Sequence, residues 1–129
     1  MNDGTQTISP LEVAELATLS AQELEACAFF HDFSIDSISL TVTEDGTDVC
    51  LLGSELIESV TNPAEYERSP MQVHFIDYDG PYIRQIEIEM VFGGKFVQLA
   101  SSVAVQFTFS GQREWLFACR CVKLRRSKP

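Results

Sequence analysis

The spacing of apolar and polar residues along the chain changes its period after residue 31. Before that point two helix-start signals follow one another, Ser9-Pro10-Leu11-Glu12 and Ser20-Ala21-Gln22-Glu23. In each signal a serine can cap the first turn, and a glutamate three residues later can bond back to it. The pattern predicts two short helices, at about 10–18 and 21–28, with one kinked helix as the alternative.

Beyond residue 31, apolar residues recur at every second position, which is typical of half-buried strands. Asp45-Gly46 lies between two such runs and favours a two-residue hairpin loop. Counting outward from that loop places the apolar side chains of both strands on one face, so turn and pattern agree. The expected pairs are Val42 with Val49, Leu40 with Leu51, and Ile38 with Gly53.

Residues 54–70 interrupt the alternation, because Asn62-Pro63 and Ser69-Pro70 break regular elements. We expect a mobile connection there, then further strands, with a turn at Gly93-Gly94. The loop after Phe109 must have an odd length, three or five residues, to keep the aromatic residues on one face. The expected inward positions are Met71, Val73, Phe75, Ile86, Ile88, Met90, Phe92, Val103, Val105, Phe107, Phe109, Trp115, Phe117, Cys119 and Cys121.

The predicted fold class is α+β, mainly antiparallel β. Short N-terminal helices at about 10–28 precede six or seven antiparallel strands, which form a curled sheet, a half-barrel or a sandwich to bury their apolar face. A chain of 129 residues is expected to be a single domain, 1–129. Residues 1–8 are predicted to be a flexible lead-in and residues 123–129 a basic tail.

Charge is distributed unevenly. The whole chain has a formal net charge of −10, and four of its nine basic side chains lie in residues 123–129, which leaves a net charge of −14 for the other 122 residues. So many acidic side chains repel nucleic acid, and they either keep a small protein soluble or favour fast association with a basic protein. No apolar run is long enough for a membrane span and no signal peptide is evident, so we expect a cytoplasmic protein with reduced cysteines.

Three groups of residues could carry chemistry, and each also has a structural interpretation. His31-Asp32 could act as a general base or metal ligand, or could end the helical segment. Cys119 and Cys121, expected on one face of a strand, could bind zinc with His31 and His74, or fill the core. Asp77-Tyr78-Asp79 lacks calcium-loop spacing and is expected to be a solvated turn. No specific catalytic motif is present, so we expect no enzyme activity, metal or cofactor.

The stretch Phe30-His31-Asp32, followed by Ile35 and then Ser37-Ile38-Ser39-Leu40, resembles the Immunity protein 50 family, small bacterial proteins of polymorphic toxin systems. The resemblance extends loosely over residues 29–124, but the N-terminal helices are longer than in that family and residues 54–70 match nothing in it. It implies a non-enzymatic protein that binds and neutralises a toxin, and it supplies no catalytic residue.

The leading hypothesis is therefore a cytoplasmic protein-binding module of the immunity type, with a basic protein as partner and no nucleic acid or membrane. Aromatic residues dominate binding hot spots, so the expected binding residues combine tyrosines with acidic neighbours. They are Glu65, Tyr66, Glu67, Asp77, Tyr78, Asp79 and Tyr82. One alternative is a ligand-binding or catalytic β-domain whose pocket uses His31 and Asp32. The other is an assembly subunit, such as a homodimer, that pairs through the strand edge 84–90.

Overall fold

The computed structural model describes residues 16, 18–26, 33–44, 46–58, 65–81 and 90–126. These residues form one antiparallel sheet of eight strands and one short helix, which confirms the predicted mainly antiparallel β fold. The elements are β1 (Thr18–Leu19), α1 (Ala21–Ala26), β2 (Phe33–Thr43), β3 (Gly46–Glu58), β4 (Tyr66–Ile76), β5 (Met90–Gln98), β6 (Val103–Phe109), β7 (Glu114–Cys119) and β8 (Cys121–Arg126). In this part of the chain no helix has the length and apolar character needed to cross a membrane.

The sheet is open but strongly curled. Its strand order is β1-β8-β4-β3-β2-β5-β6-β7. Strands β7 and β8 are separated in the chain by Arg120 alone, yet they lie towards opposite ends of that order. The Arg120 amide donates to the Ile76 carbonyl, and Asp79 and Ala118 exchange two backbone bonds of 2.8 Å. The curl therefore brings β7 beside the residues that follow β4.

The concave face of the sheet encloses an aromatic core. Phe75, Phe107, Trp115 and Phe117 pack mostly edge to face, with 4.8 Å between the ring centres of Phe75 and Phe117. Such pairs contribute about 0.5–1.5 kcal/mol each beyond the area they bury. Leu24 of α1 is fully buried and joins this cluster. The helix thus covers part of the apolar face that the sheet alone leaves open.

A bulge in β2 reconciles two apolar runs that are out of phase. Phe33 and Ile35 face the core, and so does Ile38, three residues further on. Strict alternation would send Ile38 to the opposite face. The pairing of β2 with β3 shifts between Ile35 and Ser37, which leaves Asp36 as an extra, exposed residue. A β-bulge of this kind restores the inward orientation of the second run.

The β2–β3 hairpin forms with a register two residues away from the prediction. Thr43 pairs with Gly46, so Gly46 belongs to β3 and not to the loop. Leu40 therefore lies opposite Val49 instead of Leu51. A shift of two residues keeps every side chain on its face, so the predicted common apolar face is correct although the pairs are not.

Strand β5 departs from the prediction. Gly93 and Gly94 lie inside the strand rather than in a turn. The pairing with β6 shifts between Val91 and Gly93. Val91 is fully buried and the bulged Phe92 is 58% exposed, which is the reverse of the predicted orientation. The alternating pattern could not reveal this bulge, because Val91 and Phe92 are both apolar and either of them could face the core.

The predicted pair of N-terminal helices is not confirmed. Thr18 and Leu19 form β1, so a helix does not reach residue 18, and residues 10–15 lie outside the described part. The second capping signal is present: the Ser20 amide donates to Glu23 Oε1 at 3.0 Å, and the Glu23 amide donates to Ser20 Oγ at 3.1 Å. The bond from the Ser20 amide to the carboxylate is the main cause that lowers the pKa of Glu23. Capping fixes where α1 begins, but it does not determine the structure before it.

Two segments predicted to be irregular are partly strands. Strand β3 continues to Glu58 and β4 begins at Tyr66, so much of 54–70 forms a two-stranded ribbon; residues 59–64 lie outside the described part. Pro70 lies within β4 although proline has no amide hydrogen to donate to the opposite strand. The Ser54 carbonyl opposite it accepts a hydrogen bond from Arg68 Nη1 instead. Residues 123–126, expected in a tail, belong to β8.

The loop between β6 and β7 has the predicted odd length. The Phe109 amide donates to the Arg113 carbonyl at 2.8 Å, which leaves three residues, 110–112, in the loop. Gln112 adopts a φ of 65°, the left-handed conformation usual at the end of a three-residue hairpin loop. Phe107 consequently lies opposite Trp115, with both side chains in the core.

Candidate functional site

Four acidic residues gather at one end of the sheet, where the β2–β3 turn meets the segment after β4. We call Glu44, Asp48, Asp77 and Asp79 the acidic rim. The two segments touch, because a Cβ added to Gly46 would overlap the Asp77 carboxylate. Asp77 and Asp79 are exposed, and their carboxylates accept no hydrogen bond from another described residue. The exposed Arg120 lies nearby, so the end of the sheet is predominantly, not uniformly, acidic.

The segment 77–81 that carries half of this rim is held in one conformation. Asp77 has a φ of 58°, and its amide donates to Asp48 Oδ1 at 3.0 Å. The Tyr78 amide donates to the Thr47 carbonyl at 2.6 Å. Asp79 is fixed by its two backbone bonds to Ala118. A loop ordered in this way has less backbone freedom to lose when its carboxylates bind a partner.

Tyr78 connects this loop to the core through hydrogen bonds and ring packing. Its hydroxyl donates to the Pro81 carbonyl at 2.7 Å and accepts a bond from Trp115 Nε1 at 3.1 Å. Its ring packs on Phe117 at a centroid distance of 5.2 Å. Burial, more than any other cause, raises the pKa of Tyr78. Tyr78 is half-buried and hydrogen-bonded on both sides, so it holds the loop in place; its role in binding a partner stays a prediction.

The other predicted binding residues lie at the opposite end of the same strand. Glu65, Tyr66 and Glu67 are exposed, Tyr66 to 64%, at the start of the ribbon formed by β3 and β4. Strand β4 has 11 residues, so roughly 33 Å separate its two ends at about 3.3 Å per residue. The structure therefore divides the predicted surface into two separate regions.

Several predicted residues lie outside the described part of the chain: Phe30, His31, Asp32, Tyr82 and residues 84–89 of the proposed strand edge. Met90 is described, and it pairs with Ser34 of β2.

Sequence reasoning missed a buried polar cluster on the convex face of the sheet. Gln72 and His74 lie on the face of β4 opposite the core, yet each is only 5% exposed. His74 Nε2 lies 2.9 Å from Gln72 Oε1. Their alternation with core residues is indistinguishable from that of a solvated strand face, so the sequence carries no signal for this burial.

The cysteines do not share a face as predicted. Cys119 ends β7 inside the core, whereas Cys121 begins β8 and alternates with the core residue Val122. The bend at Arg120 separates their orientations. Burial is the main cause that raises the pKa of Cys50 to about 11 and of Cys119 to about 12, so both remain thiols. Among the described residues, no group of three or more His, Cys, Asp or Glu side chains could hold a metal ion.

Comparison with known proteins gives no relative: no family model, no curated protein and no solved structure matches this chain.

Proposed function

We propose that this chain is a non-enzymatic protein-binding module that binds, and as an immunity-type protein neutralises, a basic partner through the acidic rim. The observation that carries the proposal is the rim itself, in which Asp77 and Asp79 are exposed on a loop fixed by Asp48 and Tyr78. The resemblance around Phe30-His31-Asp32 supports the immunity role, and the net charge of −10 supports a basic partner.

Electrostatic attraction acts mainly on the rate at which such a complex forms. Carboxylates that converge on one surface attract a basic protein during diffusion, and salt weakens that attraction. The rim is favoured over Glu65 and Glu67 because its segments are tied together by hydrogen bonds, whereas the ribbon extends past the ends of its flanking strands β2 and β8.

The test begins with a pull-down of the tagged protein from the lysate of its source at low and high salt, read by mass spectrometry. The captured protein is then purified, and its association rate is measured against the unmodified chain and two variants. Asp77→Asn with Asp79→Asn changes the rim, and Glu65→Gln with Glu67→Gln is the matched control at the far end of β4.

We expect the rim variant to slow association by about tenfold at low salt, with the difference shrinking at high salt, and the control to have little effect. Equal rates for the unmodified chain and the rim variant would refute the role of the rim. Failure to inhibit the captured protein's toxicity would refute the immunity role while leaving binding intact.

A further inference from the structure

The convex face of β5, β6 and β7 carries apolar side chains that the fold leaves exposed. Val97 of β5 is 55% exposed, and Leu116 of β7 is 58% exposed. Ala104 of β6 and Ala118 of β7 are half-buried beside them. All four alternate along their strands with core residues, so their side chains point away from the core. We call Val97, Ala104, Leu116 and Ala118 the apolar strip.

Strand pairing places three residues of the strip in one row that ends at the acidic rim. Val97 pairs with Ala104, and Ala104 pairs with Ala118. Ala118 in turn forms an antiparallel bridge with Asp79. Residues directly opposite each other in an antiparallel pair point to the same face, so the Asp79 side chain continues the row. At about 4.8 Å per strand, the row extends roughly 14 Å from Asp79 to Val97.

The charged side chains beside the strip differ in sign at its two edges. Asp79 and Glu114 are exposed at the β7 edge, and the exposed Arg120 beyond the end of β7 weakens this negative charge without cancelling it. Lys95 is exposed on β5, at the opposite edge. A basic group on a partner is therefore attracted to the β7 edge and repelled from the β5 edge.

We propose that the apolar strip is the continuation of the partner-binding surface, on which the basic partner places a lysine or arginine beside Asp79 and apolar side chains over the strip. An apolar centre with a charged margin is the usual composition of a protein interface. The inference rests on the proposed function and adds the chemistry of the partner. In an extended segment, roughly 14 Å corresponds to about four residues, so apolar residues should follow the basic residue within about four positions.

The rim and the strip should act on different rate constants. Carboxylates attract a basic protein over a distance and act mainly on association. Apolar contacts act only once the two surfaces touch, so they act mainly on dissociation. Leu116→Thr removes apolar surface that a bound partner would cover, while threonine suits a strand. We expect this variant to dissociate roughly fivefold faster with an unchanged association rate.

The test uses the protein that the unmodified chain captures, after its identification by mass spectrometry and purification, and measures both rate constants by surface plasmon resonance. Leu116→Thr should show the faster dissociation at low and at high salt. Val97→Thr tests the same surface from β5 and should change dissociation in the same direction, even if Leu116→Thr does not fold. Leu56→Thr, at a leucine 38% exposed on the distant ribbon, is the matched control and should leave both rate constants unchanged.

Each outcome separates the strip from the rim. Unchanged dissociation in both strip variants, or equal acceleration in Leu56→Thr, would overturn the strip and leave the rim intact. If Asp77→Asn with Asp79→Asn associates at the unmodified rate, or if the chain captures no protein, the proposed function fails and the inference fails with it. A second copy of the chain is the other occupant to test. A dimer in sedimentation velocity that Leu116→Thr abolishes would assign the strip to self-association and overturn the basic partner.

Discussion

Gly53 allows β2 and β3 to approach closely over the core. It lies on β3 opposite Ile35. A Cβ added there would overlap the Ser34 carbonyl oxygen and lie 2.9 Å from Phe33 Cζ. The oxygen belongs to the backbone and cannot rotate away, so Gly53→Ala must push β2 from β3.

The loss of stability in Gly53→Ala depends on how much core packing this movement of β2 disturbs. Overpacking in a core costs about 1–3 kcal/mol. Phe33 is fully buried, and complete loss of a buried phenylalanine costs about 3–5 kcal/mol. Since displacement of β2 unpacks Phe33 only in part, we expect Gly53→Ala to lower the free energy of unfolding by roughly 3 kcal/mol.

Urea unfolding followed by tryptophan fluorescence measures this change, because Trp115 lies in the core. The matched control is Gly93→Ala, also within a strand, where an added Cβ meets no atom within 4 Å. We expect the control to change stability by less than about 1 kcal/mol, since alanine only reduces the freedom of the unfolded chain. Equal stabilities for the two variants would refute the close approach of β2 and β3 at Gly53.

Three further predictions concern the helix cap at Ser20, the hydrogen bonds of Tyr78 and the cysteine thiols. Ser20→Ala should lower stability by roughly 1 kcal/mol in the same assay, and no change would mean that the capping bonds do not contribute. Tyr78→Phe should cost roughly 1–3 kcal/mol because an indole N–H loses its acceptor; a smaller loss would indicate that water replaces the hydroxyl. Alkylation at about pH 8, mapped by peptide mass, should modify Cys121 well before Cys50 and Cys119, whose pKa values burial raises. Equal labelling rates would contradict that burial.

Local rules in the sequence determine several features by themselves. The Ser20–Glu23 cap and the odd-length loop after Phe109 depend only on residues close together in the chain. The cap is present as predicted, and the loop has three residues, one of the two predicted lengths. The common apolar face of the β2–β3 hairpin is also predictable, because it depends on a period of two and not on the exact pairs.

The bulges and the bend at Arg120 depend on contacts between distant segments, so only the tertiary structure determines them. The bulges at Asp36 and Phe92 arise because each strand must match the phase of its partner. The bend at Arg120 turns Cys119 and Cys121 to different faces because the chain there changes its partner strand from β6 to β4.

The same distinction applies to the candidate sites. The sequence shows that the chain is acidic, and a protein-binding role stays a prediction, but the sequence cannot place the carboxylates, since the Asp48–Asp77 contact joins residues 29 positions apart. Nor can it show that His74 is buried, because burial of a convex face depends on neighbouring strands rather than on alternation within β4. Composition and periodicity therefore determine the class of fold and the sign of the charge, whereas pairing between distant strands determines which charged groups meet.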